Sequence, residues 1–283
     1  MQAASRVRGR EFFTEVRKLA AFLRRDMLVS WSYRTAFFAD WANLLVQIAI
    51  FYFVSKLITT QQVEQYSDTH ETSYIDFVVI GIAFGAFVQA SLGRVVATIR
   101  QEQLMGTLES LLVTPTTAPI LQLGSFVYDL IYVPIRTTIY LVLMVLVFGV
   151  TLNASGLLPT IAILLAFIPF AWGLGLVSAA AVLTVRRGTG LAGLGGTLLI
   201  LASGAYFPLV VFPAWLRSIA EHNPLTTSVE GSREALLGNA GWSAAWEPIM
   251  VLIPLAIITI AIGGYAFRKA VERERRRGTL FLY

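Results

Sequence analysis

Residues 157–184 read LLPTIAILLAFIPFAWGLGLVSAAAVLT, a stretch in which no side chain carries a formal charge. A helix rises about 1.5 Å per residue, so a run of this length crosses an apolar layer of about 30 Å. Pro159 and Pro169 lie inside the run, but membrane helices tolerate proline where neighbouring groups compensate for the lost hydrogen bond. The stretch therefore predicts a membrane-spanning helix.

Five further apolar segments are long enough for the same role. They cover residues 35–57, 74–98, 120–150, 189–212 and 246–268. Hydrophobic residues make up 56% of the 283 positions and charged residues only 14%, with a mean hydropathy of +0.69. A soluble domain of this size needs more charge on its surface. We predict an all-α membrane protein with six transmembrane helices in a domain spanning residues 35–268.

The distribution of basic residues predicts the orientation. Of the 22 lysines and arginines, 17 lie in residues 1–34, 99–119, 185–189 and 268–283, which would all lie on one side of the membrane. The opposite loops carry only Arg217 and Arg233. Because cytoplasmic loops are enriched in basic residues, both termini are expected in the cytosol and the protein in the cytoplasmic (inner) membrane. Basic residues beside apolar spans also argue against a nucleic-acid partner.

Three segments outside the spans have patterns of their own. Residues 1–34 are predicted to form an amphipathic helix whose basic side faces anionic lipid head groups. Residues 269–283 form a basic cytoplasmic tail. In residues 205–245, Pro208, Pro213 and Pro224 break an apolar stretch, which predicts short re-entrant helices between spans five and six or a simple interfacial anchor.

The usual signatures of enzymes are absent from the sequence. The chain has no cysteine and two histidines that are far apart, which leaves little basis for a metal site. No GxxxxGK[ST] sequence is present, so nucleotide hydrolysis by a P-loop in this chain is not expected. We predict a non-enzymatic chain without a cofactor of its own.

Two charges fall inside the third apolar segment. Asp129 and Arg136 are seven residues apart and therefore share one helix face, about 10 Å apart along the axis. An unpaired charge at mid-bilayer costs at least about 3 kcal/mol, so the two side chains require partners or water. They are interpreted either as a charge pair that secures the bundle or as groups with a direct role in substrate or proton transfer.

Other residues are candidates for a transport pathway. Polar side chains inside spans face protein or a cavity, and helix packing is the alternative role. The candidates are Asn43, Gln47, Phe84, Gln89 and Phe207.

Residues 100–115 lie in the cytoplasmic loop 99–119 and predict a short amphipathic helix. Leu104, Leu108, Leu111 and Leu112 make one apolar stripe, and the polar face is acidic. An acidic face is unfavourable against an anionic leaflet, which favours a protein partner over the lipid surface.

The same segment, with its sequence Glu102…Gly106-Thr107-Leu108-Glu109…Leu112-Val113-Thr114-Pro115, resembles the first intracellular loop of type-2 permeases of ATP-binding-cassette (ABC) transporters. A second match is looser: Ser203-Gly204-Ala205-Tyr206-Phe207-Pro208, followed by Asn223-Pro224-Leu225 and Arg233, resembles the region between spans five and six of that family. With the N-terminal helix and the six spans, the likeness covers nearly the whole chain.

The resemblance implies the membrane-spanning subunit of an exporter with the type V fold. Residues 100–115 would be a coupling helix docked on a separate ATPase subunit, which binds ATP and magnesium. The implied coupling residues are Glu102, Gly106, Thr107, Leu108, Glu109, Leu112, Thr114 and Pro115. A second copy or a sister permease would complete the pathway for a drug, lipid or glycan-like cargo. The alternatives are a proton-coupled secondary transporter that uses Asp129 and Arg136, and a non-transporting membrane assembly scaffold.

Overall fold

The computed structural model describes residues 24, 27–28, 32, 34–57, 73–104, 118–184, 188–238 and 240–277, and all their regular structure is helical. The α-helices are α1 (Arg34–Ser55), α2 (Tyr74–Leu104), α3 (Ala118–Phe148), α4 (Leu157–Thr184), α5 (Gly188–Leu201), α6 (Ala214–Glu221), α7 (Pro224–Leu236) and α8 (Ser243–Arg277). Short 3-10 turns at Ala154–Gly156 and Leu209–Val211 precede α4 and α6.

Each predicted apolar segment corresponds to one helix, but the helices differ in their capacity to cross a bilayer. Among the described residues, four apolar stretches are long enough, namely Tyr74–Gly93, Tyr128–Phe148, Ala154–Thr184 and Ser243–Arg273. The apolar part of α1 is the shorter Trp41–Ser55. Helix α5 has 14 residues and rises about 21 Å, less than the thickness of a bilayer core. The multi-pass prediction is supported, and the count of six spans stays a prediction.

Helix α2 lies at the centre of the bundle and contacts α1, α3, α4, α5 and α7. The buried share of its apolar stretch is 82%, compared with 22% for the apolar stretch of α3 and 17% for that of α8. Phe84 and Phe87 both meet the ring of Phe167 on α4 edge-on, at centroid separations of 5.9 and 5.8 Å. These aromatic contacts join α2 to α4 in the main hydrophobic core.

The most extensive helix–helix contact among the described residues joins α4 and α8. Two glycines allow it: a Cβ atom on Gly173 would lie 2.5 Å from Thr259 Oγ1, and one on Gly263 would lie 2.6 Å from the carbonyl oxygen of Gly173. Close approach of backbones over small residues is how membrane helices gain packing energy without a hydrophobic driving force.

The fifth predicted segment is shorter than expected, since 189–212 was expected to be one helix but α5 ends at Leu201. The chain then turns at Gly204, whose φ of 68° is in the left-handed region that glycine readily adopts. Asn223 Nδ2 donates to the carbonyl oxygen of Leu199 at 2.9 Å, which satisfies one carbonyl in the last turn of α5. The short helices α6 and α7 follow within the predicted re-entrant region 205–245.

Two other helices are longer than predicted. Helix α8 continues to Arg277 and so includes much of the tail 269–283, because arginine, lysine, glutamate and alanine in this stretch all favour helix. Helix α2 continues past residue 98 to Leu104, so the first residues of the coupling segment extend the second predicted span. The N-terminal helix predicted in residues 1–34 falls almost wholly outside the described residues.

Candidate functional site: a polar cavity among apolar helices

A cavity of about 520 Å³ lies among α1, α2, α3, α5 and the turn that follows α5. We call it the polar cavity. Its described lining residues are Asn43, Gln47, Gly85, Ala86, Gln89, Arg136, Thr197, Ile200, Leu201 and Tyr206. Its volume is within the range of small-molecule sites, about 300–1,000 Å³. Most of its polar side chains come from helices whose other residues are largely apolar.

One side of the polar cavity joins α1 to the turn after α5. Gln47 Nε2 donates to Tyr206 Oη at 3.0 Å. One helical turn along α1, Phe51 stacks on the Tyr206 ring at a centroid distance of 5.2 Å and an angle of 5°. Tyr74 Oη donates to the Tyr206 carbonyl oxygen at 3.0 Å. Tyr206 is therefore held by α1 and α2 together.

A second set of contacts in the lining joins α2 to α5. Gln89 Nε2 donates to Thr197 Oγ1 at 3.2 Å, and Thr197 Oγ1 donates in turn to the Gly193 carbonyl oxygen. The packing here is tight, because a Cβ atom on Gly196 would lie 2.8 Å from Leu92 Cδ1. Two glutamine amides thus lie in the polar cavity, each bonded through one N–H to a hydroxyl of a neighbouring segment.

Arg136 is the charged side chain among the described residues that line the polar cavity. It lies within the apolar stretch of α3 and is partly exposed. Its guanidinium carbon is 5.9 Å from the centroid of the Trp41 ring on α1, within the range of a cation–π contact. Asp129, two turns earlier on α3, is 5% exposed and is not among the cavity residues described. No ion pair between the two is found among the described side chains, and their mutual stabilisation stays a prediction.

A buried arginine holds the turn that carries Tyr206. Arg233 on α7 is 4% exposed; its Nε donates to the Phe77 carbonyl oxygen at 3.0 Å. One terminal nitrogen donates to the carbonyl oxygens of Gly204 and Ala205, at 3.1 and 3.0 Å. The guanidinium also lies 3.5 Å from the centroid of the Phe77 ring. Arg233 therefore connects α7, α2 and the turn after α5.

The pathway candidates predicted from the sequence are partly brought together. Asn43, Gln47 and Gln89 line the polar cavity. Phe84 does not, because its ring is 1% exposed in the core against Phe167. Phe207 is 48% exposed and also lies outside the described cavity lining.

Two residues of this site were not singled out as functional from the sequence. In the sequence both belong to the motif that resembles the region between spans five and six of type-2 permeases, and Arg233 is also a basic residue of an outer loop. Their contacts join segments more than 120 residues apart, which local periodicity does not reveal. The one available signal was the place of both residues in that motif.

Most of the predicted coupling residues fall outside the described residues. Glu102 lies in the last turns of α2, where the backbone is helical. The others, Gly106, Thr107, Leu108, Glu109, Leu112, Thr114 and Pro115, are beyond the described part of that segment. In the described ranges no cluster of histidine, aspartate or glutamate has the geometry of a metal site.

Comparison with known proteins identifies the family. The family model for ABC-2 type transporters matches residues 17–237, well over half of the chain. Curated proteins include no match to this sequence. The matched region contains α1 through α7, and with them the polar cavity and Arg233. This multi-pass helical chain therefore belongs to the ABC-2 type transporter family, as a permease component.

Proposed function

We propose that this chain is the membrane-spanning subunit of an ABC exporter, which moves its cargo outward with ATP hydrolysed by a separate ATPase subunit. The family match supports a permease, and members of this family normally work with an ABC ATPase. The observation that carries the proposal is the polar cavity, because an arginine and three amide side chains inside apolar helices indicate a substrate pathway.

The proposed arrangement follows from the charges and the exposed apolar surface. Both termini lie in the cytosol, the chain crosses the cytoplasmic membrane six times, and α6 and α7 are re-entrant from the outer side. Leu194 and Leu198 are each about half exposed on α5. A second copy or a sister permease packs on this face, and lipid covers the remaining apolar surface.

The polar contacts around Tyr206 provide a mechanism for closing the outer end. Gln47 on α1 and Tyr74 on α2 hold the turn after α5 against the bundle. ATP-driven movement of the coupling segment would shift α2, because that segment continues directly from α2 at Leu104. A shift of α2 strains the contacts to Tyr206, and their release would open the polar cavity outward.

Binding of the ATPase is tested with charge reversal in the predicted coupling segment. Glu109→Lys should lower the amount of ATPase that co-purifies with the chain by about fivefold or more. A fivefold change corresponds to about 1 kcal/mol, the lower end of typical coupling free energies between sites. Leu108→Asp should act in the same direction, because a buried leucine contributes roughly 1.5–3 kcal/mol.

The matched control is Glu272→Lys, a reversal at an exposed glutamate near the end of α8. It should leave ATPase binding unchanged. Wild-type binding by both Glu109→Lys and Leu108→Asp would remove this segment from the mechanism. Transport in proteoliposomes that survives ATP depletion but stops when the proton gradient collapses would instead favour a proton-coupled carrier, for which the buried Asp129 would be the candidate group.

A further inference from the structure

Arg136 occupies an unusual environment for a cation in a membrane helix. It lies about two-fifths of the way along the apolar stretch Tyr128–Phe148 and lines the polar cavity. Within the part of the chain that the structure describes, no carboxylate pairs with its guanidinium, which lies instead near the face of the Trp41 ring. An aromatic face compensates only part of the cost of removing a guanidinium from water.

The other polar side chains of the polar cavity include neutral hydrogen-bond donors, which can bind an anion without neutralising the charge of Arg136. Gln47 and Gln89 each use one amide N–H in a bond to a hydroxyl, and each amide has a second N–H. Asn43 is exposed and lines the same space. A guanidinium has five N–H donors in a planar fork that matches the geometry of phosphate and carboxylate oxygens. Arginine with neutral amide donors therefore forms an anion-binding arrangement.

The rest of the lining indicates that the anion belongs to a larger, partly apolar molecule. Gly85, Ala86, Ile200 and Leu201 contribute apolar surface beside the polar groups. Leu201 is 46% exposed, so apolar surface in this cavity remains accessible to a ligand. A volume of about 520 Å³ is many times that of one phosphate group.

We propose that the polar cavity binds an amphiphile with an oxyanion head group, and that Arg136 binds the head group while Ile200 and Leu201 contact the apolar part. The inference deepens the proposed function, because it identifies the cargo class as anionic amphiphiles. Its binding step requires neither the ATPase nor transport, so it can fail or succeed independently of the exporter assignment.

The test measures binding to the whole chain in nanodiscs of zwitterionic lipid. The probes are dodecyl phosphate, dodecyltrimethylammonium and inorganic phosphate. The readout is the concentration dependence of the thermal unfolding midpoint, from which an apparent Kd is obtained. Dodecyl phosphate should stabilise the protein at much lower concentration than either other probe. Equal effects of the anionic and cationic amphiphiles would overturn the proposal. Equal affinity for inorganic phosphate and dodecyl phosphate would overturn its amphiphile component.

Variants locate the binding site. Arg136→Gln should weaken dodecyl phosphate binding about tenfold or more, since it removes a charge-assisted hydrogen bond. Gln89→Glu retains Arg136 but places a negative charge in the polar cavity, so it should also weaken binding of dodecyl phosphate. This second variant tests the site even if Arg136→Gln does not fold. Arg217→Gln removes an exposed arginine that pairs with Glu221 on α6, away from the described cavity lining, and should bind as the wild type does.

Wild-type affinity in both Arg136→Gln and Gln89→Glu would refute the site. The proposed coupling to an ATPase is tested separately by ATPase binding to Glu109→Lys and Leu108→Asp. If both variants bind the ATPase normally while Arg136→Gln loses the amphiphile, the anion site stands and the coupling mechanism fails.

Discussion

At the scale of single residues, two arginines within the bundle have opposite environments. Arg233 is surrounded by backbone carbonyl oxygens and a ring, so its hydrogen-bond donors are occupied by the protein itself. Arg136 is partly exposed in the polar cavity, where its guanidinium lies near the Trp41 ring. Because a buried polar group is stable only when it is hydrogen-bonded, Arg233 is a structural residue. Arg136 remains available to a ligand.

This difference predicts the stability of variants of Arg233. Arg233→Met keeps most of the volume but removes the hydrogen bonds to Phe77, Gly204 and Ala205, so it should destabilise the fold by at least about 2 kcal/mol. Arg233→Lys should recover only part of this loss, because one ammonium group cannot reproduce the guanidinium fork. The measurement is the thermal unfolding midpoint in detergent. Arg217→Met, the exposed control, should change it little. Equal midpoints for Arg233→Met and Arg217→Met would contradict this role.

At the scale of elements, local composition explains some boundaries and tertiary contacts explain others. Helix α4 has the bounds 157–184 expected from the sequence, because an uninterrupted apolar run determines a span by itself. The predicted end of α5 was about ten residues too late, because Gly204, Asn223 and Arg233 fix the turn through contacts with other segments. The polar cavity was partly predictable, since amides inside apolar runs are conspicuous. The position of Tyr206 in the cavity was not predictable, because it depends on contacts with Gln47 and Tyr74, which are distant along the chain.

The contact between α2 and the turn after α5 gives a prediction about packing. A Cβ atom on Gly81 would overlap the Ala205 carbonyl group and lie 2.7 Å from Ala205 Cα, whereas one on Gly93 would meet nothing within 4 Å. Gly81→Ala should therefore push the turn away and lower the thermal midpoint, despite the helix preference for alanine. Gly93→Ala on the same helix should be neutral or stabilising by up to about 1 kcal/mol. A Gly81→Ala protein as stable as Gly93→Ala would show that the turn moves without cost.

At the scale of the whole molecule, the number of membrane crossings decides which surfaces face the cytosol. In the part of the chain that the structure describes, four helices meet the length and apolarity of a span, and the apolar parts of α1 and α5 are shorter. If α1 and α5 cross, the coupling segment is cytosolic, as an ATPase partner requires. If neither crosses and the N-terminus is cytosolic, residues 58–73 are cytosolic and the coupling segment is external. Both alternatives leave α6 outside and the end of α8 inside, so those regions alone cannot distinguish them.

Single cysteines can discriminate, because the natural chain contains none. We predict that Ser67→Cys reacts with a membrane-impermeant maleimide added to intact cells, and that Gln103→Cys reacts only after permeabilisation. The reason is the positive-inside bias, since residues 58–73 carry three acids and only Lys56 lies nearby. Ser218→Cys, exposed on α6, should label from outside, and Glu272→Cys, exposed near the end of α8, only from inside. The reverse pattern at positions 67 and 103, with both controls unchanged, would establish four crossings and place the coupling segment beyond the reach of a cytosolic ATPase.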